Sequence, residues 1–463
     1  MKHDLLIQSI QLVLVVAIVA CFYLVWYYFY RFRAVSVYGW KGNVTITAVY
    51  LVIYLYFSNI YDSMQISTAR VGEIIYNQAL AIAISDGVIY VIICLLAKRL
   101  PNLIPGLTCF FLQVWIAGLW GLGANKLYYK VFPARKTIII YDTREGMDRL
   151  IQDYGLEKKF DIVKMMEVTE CLKDLSVLDE IEVAFLSGIH SHDRNIILKR
   201  CVAEDVRTFV IPRIGDVIMS GAQKMHMFHL PMLQVTRYHP TLEFLFIKRF
   251  FDIVLSLIVL IITSPILLIT AFLIKLTDHG PVFYKQTRLT KNGKEFKIVK
   301  FRSMRIDAEK DGVARLSSGD KDPRITPIGR FIRKVRIDEL PQLFNILKGD
   351  MSIIGPRPER PEIAAQYEQQ IPEFKLRLQA KAGLTGYAQI YGKYNTTPYD
   401  KLQMDLMYIA NPSILEEIRI AFATIRILFL PESTEGVAAG QTTAMDYENS
   451  TDSTENDAET AAK

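Results

Sequence analysis

Two adjacent carboxylates, Asp338 and Glu339, stand directly behind a run of cations in "RKVRIDELPQLFNILKGDMSIIGPRP", residues 333–358. An ionised carboxylate can attack phosphorus if neighbouring cations screen its repulsion from the phosphate. A second carboxylate can hold Mg²⁺, which neutralises a pyrophosphate and stabilises its leaving group. Neighbouring residues on a helix point about 100° apart, so the two need not share a role. Leu340, Leu343, Phe344 and Leu347 recur at helical spacing and Gly349 ends the pattern. This predicts a helix with Pro341 in its first turn and Asp338 as its N-cap. The cations and the positive helix end are expected to keep Asp338 ionised. Taken alone, an N-cap followed by a glutamate is more often structural than catalytic.

Other residues bear on the same chemistry. Pro356 and Pro358 stiffen the backbone around Arg357, presenting its guanidinium for bidentate phosphate contact. "KAGLTGYAQIYGKY" supplies glycine hinges with Thr385, Tyr387 and Gln389, a loop able to face a nucleotide. "QTRLTKNGKEFKIVKFRSM" reads as a basic hairpin turning at Asn292–Gly293, with Lys300 and Arg302 following. In "TPIGRFIRKVRI", Thr326 caps a helix that carries Ile328, Phe331, Ile332 and Val335 on one face and Arg330, Arg333 and Lys334 elsewhere. Such a helix suits a membrane surface, or equally the solvated face of an ordinary domain. "SILEEIRIAFATIRILFL" opens with a capping box from Ser413 to Glu416.

The elements that must position these groups begin in a membrane. Four apolar runs, 5–28, 44–59, 79–97 and 103–122, are long enough to span, with Tyr and Trp at their ends. The first is too long for a signal-peptide core and lacks a polar break after it, so it is read as a span. "IVAC", ending at Cys21, resembles a lipoprotein cleavage box, but the apolar run continues past it. Lys and Arg divide six against five between the two sides, so orientation must come from the chemistry downstream.

Composition narrows the class further. The 463 residues carry a net charge of +6, but residues 431–463 hold eight acidic groups against Lys463 alone. That tail reads as disordered, and the remaining +13 suits an anionic leaflet and phosphate-bearing substrates rather than nucleic acid. The five cysteines show neither zinc spacing nor a disulfide framework.

Between the spans and the carboxylates, "KTIIIYD", "FDIVKMMEV", "IEVAFLSG" and "RTFVIP" read as buried strands alternating with helices, which implies a Rossmann-like parallel sheet. A dinucleotide site wants G-x-G-x-x-G after the first strand. Gly146 stands alone in "YDTREGMDRL", so the region is expected to lack a cofactor and to serve regulation or dimerisation. Tyr154 and Lys158 have short-chain dehydrogenase spacing, which 24 tyrosines produce about once by chance. His190, His192 and Asp193, and His226 with His229, are read as solvated loop residues rather than metal ligands.

A fifth apolar run, Ile253 to Ile274, has 22 uncharged residues and Ser264–Pro265 at its middle. Proline removes a helix hydrogen bond and forces a kink, and the serine hydroxyl can satisfy a freed carbonyl. Cations flank both ends: Lys248 and Arg249 before, Lys275, Lys285 and Arg288 after. A bent hairpin entering and leaving one leaflet fits both facts, and an ordinary proline-kinked span is the alternative.

With these motifs together, residues 246–430 resemble the bacterial polyprenyl-phosphate sugar-phosphate transferases, the monotopic phosphoglycosyl transferases. "KRFFDIVLSL…SP", "KFRSM", "DELPQLFNILKGDMSIIGPRP" and "GLTGYAQ" carry the resemblance in that order. The four spans and the Rossmann-like region resemble the family's long members, which act on hexose phosphates. The resemblance implies transfer of a hexose-1-phosphate from a UDP-hexose to undecaprenyl phosphate with Mg²⁺, beginning capsule or exopolysaccharide assembly. Asp338 would be the nucleophile and form a covalent sugar-phosphate, releasing UMP. Glu339 would hold the metal, and Lys300, Arg302, Arg333, Arg357 and Gln389 would bind substrate. Ser264 and Pro265 would break a re-entrant helix. Ala382 and Tyr387 depart from the proline and tryptophan common at those places.

The expected organisation is therefore a multi-pass protein of the bacterial inner membrane with its catalytic part on the cytoplasmic face. Residues 1–130 form four transmembrane helices, 131–240 a Rossmann-like α/β domain, and 241–275 a re-entrant helix. Residues 276–430 form a mainly α (α+β) catalytic domain, and 431–463 the acidic tail. A homodimer through the middle domain is expected. The rival readings are a membrane-anchored NAD-dependent nucleotide-sugar dehydratase, which needs the missing glycine fingerprint, and a non-enzymatic assembly scaffold.

Overall fold

The computed structural model describes residues 2–33, 39–66, 71–144, 146–153, 155–238, 240–305, 308, 322, 324–392 and 396–428. The acidic tail and Tyr154 lie outside them. The chain divides into two compact units, Met1–Pro212 and Arg213–Lys463. Among the described residues, five helices are long and apolar enough to cross a membrane.

The first unit holds four of them: α1 (Lys2–Val25), α2 (Trp40–Ile60), α3 (Val71–Ala97) and α4 (Ile104–Val131). Each covers nearly all of one of the four apolar runs and extends beyond it. Apolar surface gives little drive for helices to associate in lipid, so polar side chains join them. Trp26 Nε1 donates to Asn43 Oδ1 (3.0 Å), Tyr50 Oη to Asp86 Oδ1 (2.9 Å) and Tyr54 Oη to Gln78 Oε1 (2.8 Å).

Next come β1 (Arg135–Tyr141), α5 (Met147–Asp153), β2 (Phe160–Glu167), α6 (Val168–Lys173), β3 (Val183–Ser187), α7 (Ser191–Ala203) and β4 (Arg207–Val210). The strands form one parallel sheet in the order β2-β1-β3-β4, as the alternating pattern predicts. Ile138, Ile140, Ala184 and Leu186 are buried with Leu178, Ile197 and Cys201 in its core.

The second unit starts earlier than the boundary at 240 expected from the pattern. In α8 (Ile214–Ser220), Ile214 and Val217 belong to a core with Leu402, Leu406 and Ile409, so packing assigns this helix to the C-terminal unit. A hairpin of β5 (Gln223–Met227) and β6 (Leu230–Gln234) follows.

The long helix α9 (Leu242–Asp278) is helical without interruption through Pro265. The carbonyl that the proline leaves without a partner, that of Ile261, accepts from Ser264 Oγ at 2.8 Å. A side-chain donor thus replaces the missing backbone donor, and the proline is accommodated inside the helix. Only 11% of the most apolar window of α9 is buried, against 28–39% for the other four. Both halves of the helix nonetheless pack on the same compact unit. Arg249 donates to the carbonyls of Ile346 and Leu347, and Asp252 accepts from the Ile353 amide. Toward the other end, Ile274 is buried with Phe301 and Ile332.

The basic hairpin forms as expected from β7 (Phe283–Leu289) and β8 (Glu295–Phe301), with Asn292 and Gly293 at positive φ in its turn. Beyond it lie α10 (Pro327–Lys334), α11 (Gln342–Lys348), β9 (Ser352–Ile354), α12 (Pro361–Gln370), β10 (Gly383–Thr385), α13 (Tyr387–Ile390), α14 (Pro398–Ala410) and α15 (Ile414–Leu428). Thr326 caps α10 through the Gly329 amide, and Gly349 ends α11 at φ 96°. The Ser413–Glu416 capping box gives way to a tertiary bond, because Glu416 accepts from Tyr387 Oη instead.

Candidate active site

Asp338 and Glu339 are not at a helix N-cap. They lie in a 3₁₀ turn, Ile337–Glu339, entered through Arg336 at φ 55°. The reason is Pro341. It has no N–H to give to the Ile337 carbonyl, so the chain closes the tighter bonds Glu339 N to Arg336 O and Leu340 N to Ile337 O instead. Helix α11 starts only after the proline. The turn leaves both carboxylates partly exposed at the end of a firmly packed element, since Leu343 and Ile346 are buried.

Three other elements bring cations to this turn. Lys300, near the end of β8, donates to Glu339 Oε1 at 3.1 Å. Arg357, from the loop after β9, donates to the same oxygen from Nη2 at 2.9 Å. Arg333 of α10 acts electrostatically on Asp338, and Arg336 on Glu339. The parallel pairing of β9 with β10 sets the Arg357 loop beside "GLTGYAQ". The backbones approach so closely that a Cβ on Gly383 would stand 2.1 Å from the Gly355 nitrogen.

The two carboxylates are driven apart electrostatically. Burial, and then the charge of Glu339, push the Asp338 carboxyl up to about 6, while Lys300, Arg333 and Arg357 pull the other way. The expected effect of the cations is therefore present but outweighed. Burial would also raise Glu339, but Lys300, Arg357 and Arg336 together hold it well below the usual carboxylate range. The pair thus offers one permanent anion and one carboxylate of raised basicity, as sites that divide roles between two acids do.

Of the residues read from sequence, Lys300, Arg333 and Arg357 are brought to the pair. Arg302 lines a small recess with Ile274, Thr277, Thr326 and Ile328 and is only 7% exposed. Gln389 sits on α13 beside Gly386, and both its amide atoms are buried with no hydrogen bond among the described residues. Arg336 escaped sequence reading because its part depends on the turn geometry. Arg377 and Asp405, a buried ion pair behind Arg357, were also missed. A signal existed for Asp405, which interrupts the apolar stripe of Leu402, Leu406 and Ile409.

No third His, Cys, Asp or Glu joins the carboxylates into a metal-binding group among the described residues. Two carboxylates suit a Mg²⁺ that keeps its waters and shares substrate phosphates, and would not suit a metal caged by protein alone.

A family described as bacterial sugar transferase matches residues 243–431. The UDP-N-acetylgalactosamine-undecaprenyl-phosphate N-acetylgalactosaminephosphotransferase of Aeromonas hydrophila is 39% identical over 234 residues, 50% of this chain and 54% of that protein. The UDP-glucose:undecaprenyl-phosphate glucose-1-phosphate transferase of Escherichia coli (strain K12) is 38% identical over 226 residues, 48% of this chain and 47% of the relative. The exopolysaccharide production protein PSS of Rhizobium leguminosarum bv. phaseoli is 44% identical over 190 residues, 39% of this chain but 94% of the relative. The chain spans about half the length of the first two relatives and nearly all of the third.

Proposed function

This chain belongs to the bacterial sugar transferase family, and from that premise we propose that it moves a hexose-1-phosphate from a UDP-sugar onto undecaprenyl phosphate at the cytoplasmic face of the inner membrane. The observation that carries the reading is the Asp338–Glu339 turn, where a partly exposed carboxylate of raised basicity is ringed by Lys300, Arg333 and Arg357. A carboxylate meeting a pyrophosphate needs such a ring, because each phosphate oxygen would otherwise repel it.

In the first step an Asp338 oxygen attacks the phosphorus bonded to the sugar. The bond from that phosphorus to the bridging oxygen breaks, and UMP leaves with the bridging oxygen. In the second, a phosphate oxygen of the lipid attacks the same phosphorus. The Asp338 O–P bond breaks, which restores the carboxylate and gives a sugar diphospholipid. Arg357 and Lys300 hold the phosphoryl oxygens through both steps, and Arg333 screens Asp338. Glu339 would hold Mg²⁺, which when bound supplies charge neutralisation to the leaving phosphate.

The membrane arrangement supports the same reading. Both halves of α9 pack on one folded unit, which a re-entrant helix requires and a simple crossing does not. Phe331, Val335 and Phe344, on the elements flanking the catalytic turn, are 63%, 43% and 52% exposed, a surface suited to the lipid boundary. The first two relatives are named for different sugars, N-acetylgalactosamine and glucose. A panel of UDP-glucose, UDP-galactose and UDP-N-acetylgalactosamine, read by UMP release, identifies the sugar. Release from one of them by the wild type and none by Asp338→Asn is expected. Equal release by both proteins would refute Asp338 as the nucleophile.

A further inference from the structure

We infer that Asp405 is a positioning residue for Arg357, acting through the guanidinium of Arg377. The inference rests on the transferase reading above. Asp405 and Arg377 are 1% and 3% exposed. Arg377 Nη2 lies 2.6 Å from Asp405 Oδ2, and Nε donates to the same oxygen at 2.9 Å. Nη2 also donates to the backbone carbonyl of Arg357 at 2.8 Å.

That bond completes a clamp on the whole loop. The Pro356 carbonyl accepts from the Gly383 amide (2.9 Å), that of Pro358 from Arg288 Nη1 (3.0 Å), and that of Glu359 from the Leu289 amide (3.0 Å). Four consecutive carbonyls are therefore tied, and the two prolines restrict the backbone between them. The Arg357 side chain, 43% exposed, projects from this fixed segment to Glu339. Of the four ties, the Arg377 bond is the one on Arg357 itself. Its geometry is set from behind by Asp405, which stands on α14 among buried Leu402, Leu406 and Ile409. A buried ion pair is a poor device for stability alone, because apolar residues of like volume serve as well or better. Fixing a guanidinium in one orientation is what such a pair does that an apolar pair does not.

The test uses the full chain in lipid nanodiscs with UDP-sugar, Mg²⁺ and undecaprenyl phosphate, so that the chain turns over. Asp405→Asn keeps the shape of the side chain and removes its charge. It is expected to lower kcat for UMP release about 10²-fold, as displacement of a phosphate-gripping group does, with the melting temperature little changed. In an Arg357→Lys background the same substitution is expected to cost less than about 3-fold, since the group it positions is already gone. Arg377→Lys, whose ammonium ends one bond short of the Nη2 that meets both Asp405 and the Arg357 carbonyl, is expected to behave likewise. An equal loss in both backgrounds overturns the inference, as does full activity of Asp405→Asn. If Asp405→Asn does not fold, Arg377→Lys decides. Failure of both to fold assigns the pair to stability and overturns the inference too. Wild type that releases no UMP from any UDP-sugar contradicts the transferase reading itself, a result separable from all of these.

Discussion

Each unit of this chain has a place where a parallel strand ends in glycine and hands over to a helix, and the two places are built to opposite purposes. After β3, Gly188 is at φ 69°, and the groups around it satisfy one another. Thr143 Oγ1 donates to the Gly188 carbonyl, and Ser187 Oγ to that of Arg144. His190 lies 3.8 Å from Asp142. After β9, Gly355 lets two strands close up, but the loop beyond it holds Arg357 toward Glu339, with Lys300 on the same oxygen. The first junction uses its polar groups to close its own loops. The second spends its polar backbone on a clamp and leaves the charged side chains poised. Strand–helix architecture therefore does not distinguish the two places, and the gathering of charged side chains on one turn does.

Five perturbations sharpen or break this contrast. The largest effect falls on Asp338→Asn, which removes the charge of the proposed attacking oxygen and is expected to cost at least about 10³-fold in kcat, measured as UMP release. Glu339→Gln is next, at about 10²–10³-fold, because it leaves Lys300 and Arg357 without their shared anion and removes the proposed metal ligand. Its apparent Mg²⁺ requirement should rise in a titration. Arg357→Lys keeps the charge but loses the planar fork, and an assay over substrate concentration should show about a 10- to 100-fold drop in kcat/KM.

The pH dependence is smaller but distinctive. The proposed attack needs Asp338 ionised, and burial beside Glu339 pushes its carboxyl up to about 6. Activity should rise with pH through about 6 and level off above 7, so kcat/KM at pH 5 should be about tenfold below the plateau. A profile already flat from pH 5 upward would contradict that raised basicity. The smallest effect on catalysis belongs to the first junction. A Cβ at Gly188 would stand 2.8 Å from Thr143 Oγ1 and 3.0 Å from the Arg144 nitrogen, at a φ that side chains rarely adopt. Gly188→Ala should therefore cost about 1–3 kcal/mol of stability in thermal unfolding, yet change activity per folded molecule less than about twofold. A catalytic loss there with unchanged stability would erase the distinction between the two junctions.

What sequence made legible follows from how local each feature is. The four N-terminal helices, the parallel sheet and the basic hairpin rest on runs of apolar residues and one Asn-Gly turn, and local patterns suffice for those. The Ser264 hydroxyl on the carbonyl freed by Pro265 was legible for the same reason. The turn at Asp338 was misread as a helix cap because helical spacing runs on from Leu340 and conceals the donor that Pro341 lacks. The assignment of α8 to the second unit and the Asp405–Arg377 clamp depend on contacts between residues far apart in the chain, which periodicity cannot register. The raised basicity of Asp338 was missed on the same ground, since burial is a property of the fold.

The proposed mechanism requires an Asp338 oxygen to take up the sugar-phosphate before any lipid arrives. Incubating the wild-type chain with its UDP-sugar and Mg²⁺, without polyprenyl phosphate, and then mapping peptides by mass spectrometry tests it directly. About one UMP released per chain is expected, with the mass of a hexose phosphate on the peptide containing Asp338. UMP that appears only once the lipid phosphate is added, with Asp338 unmodified throughout, would contradict it.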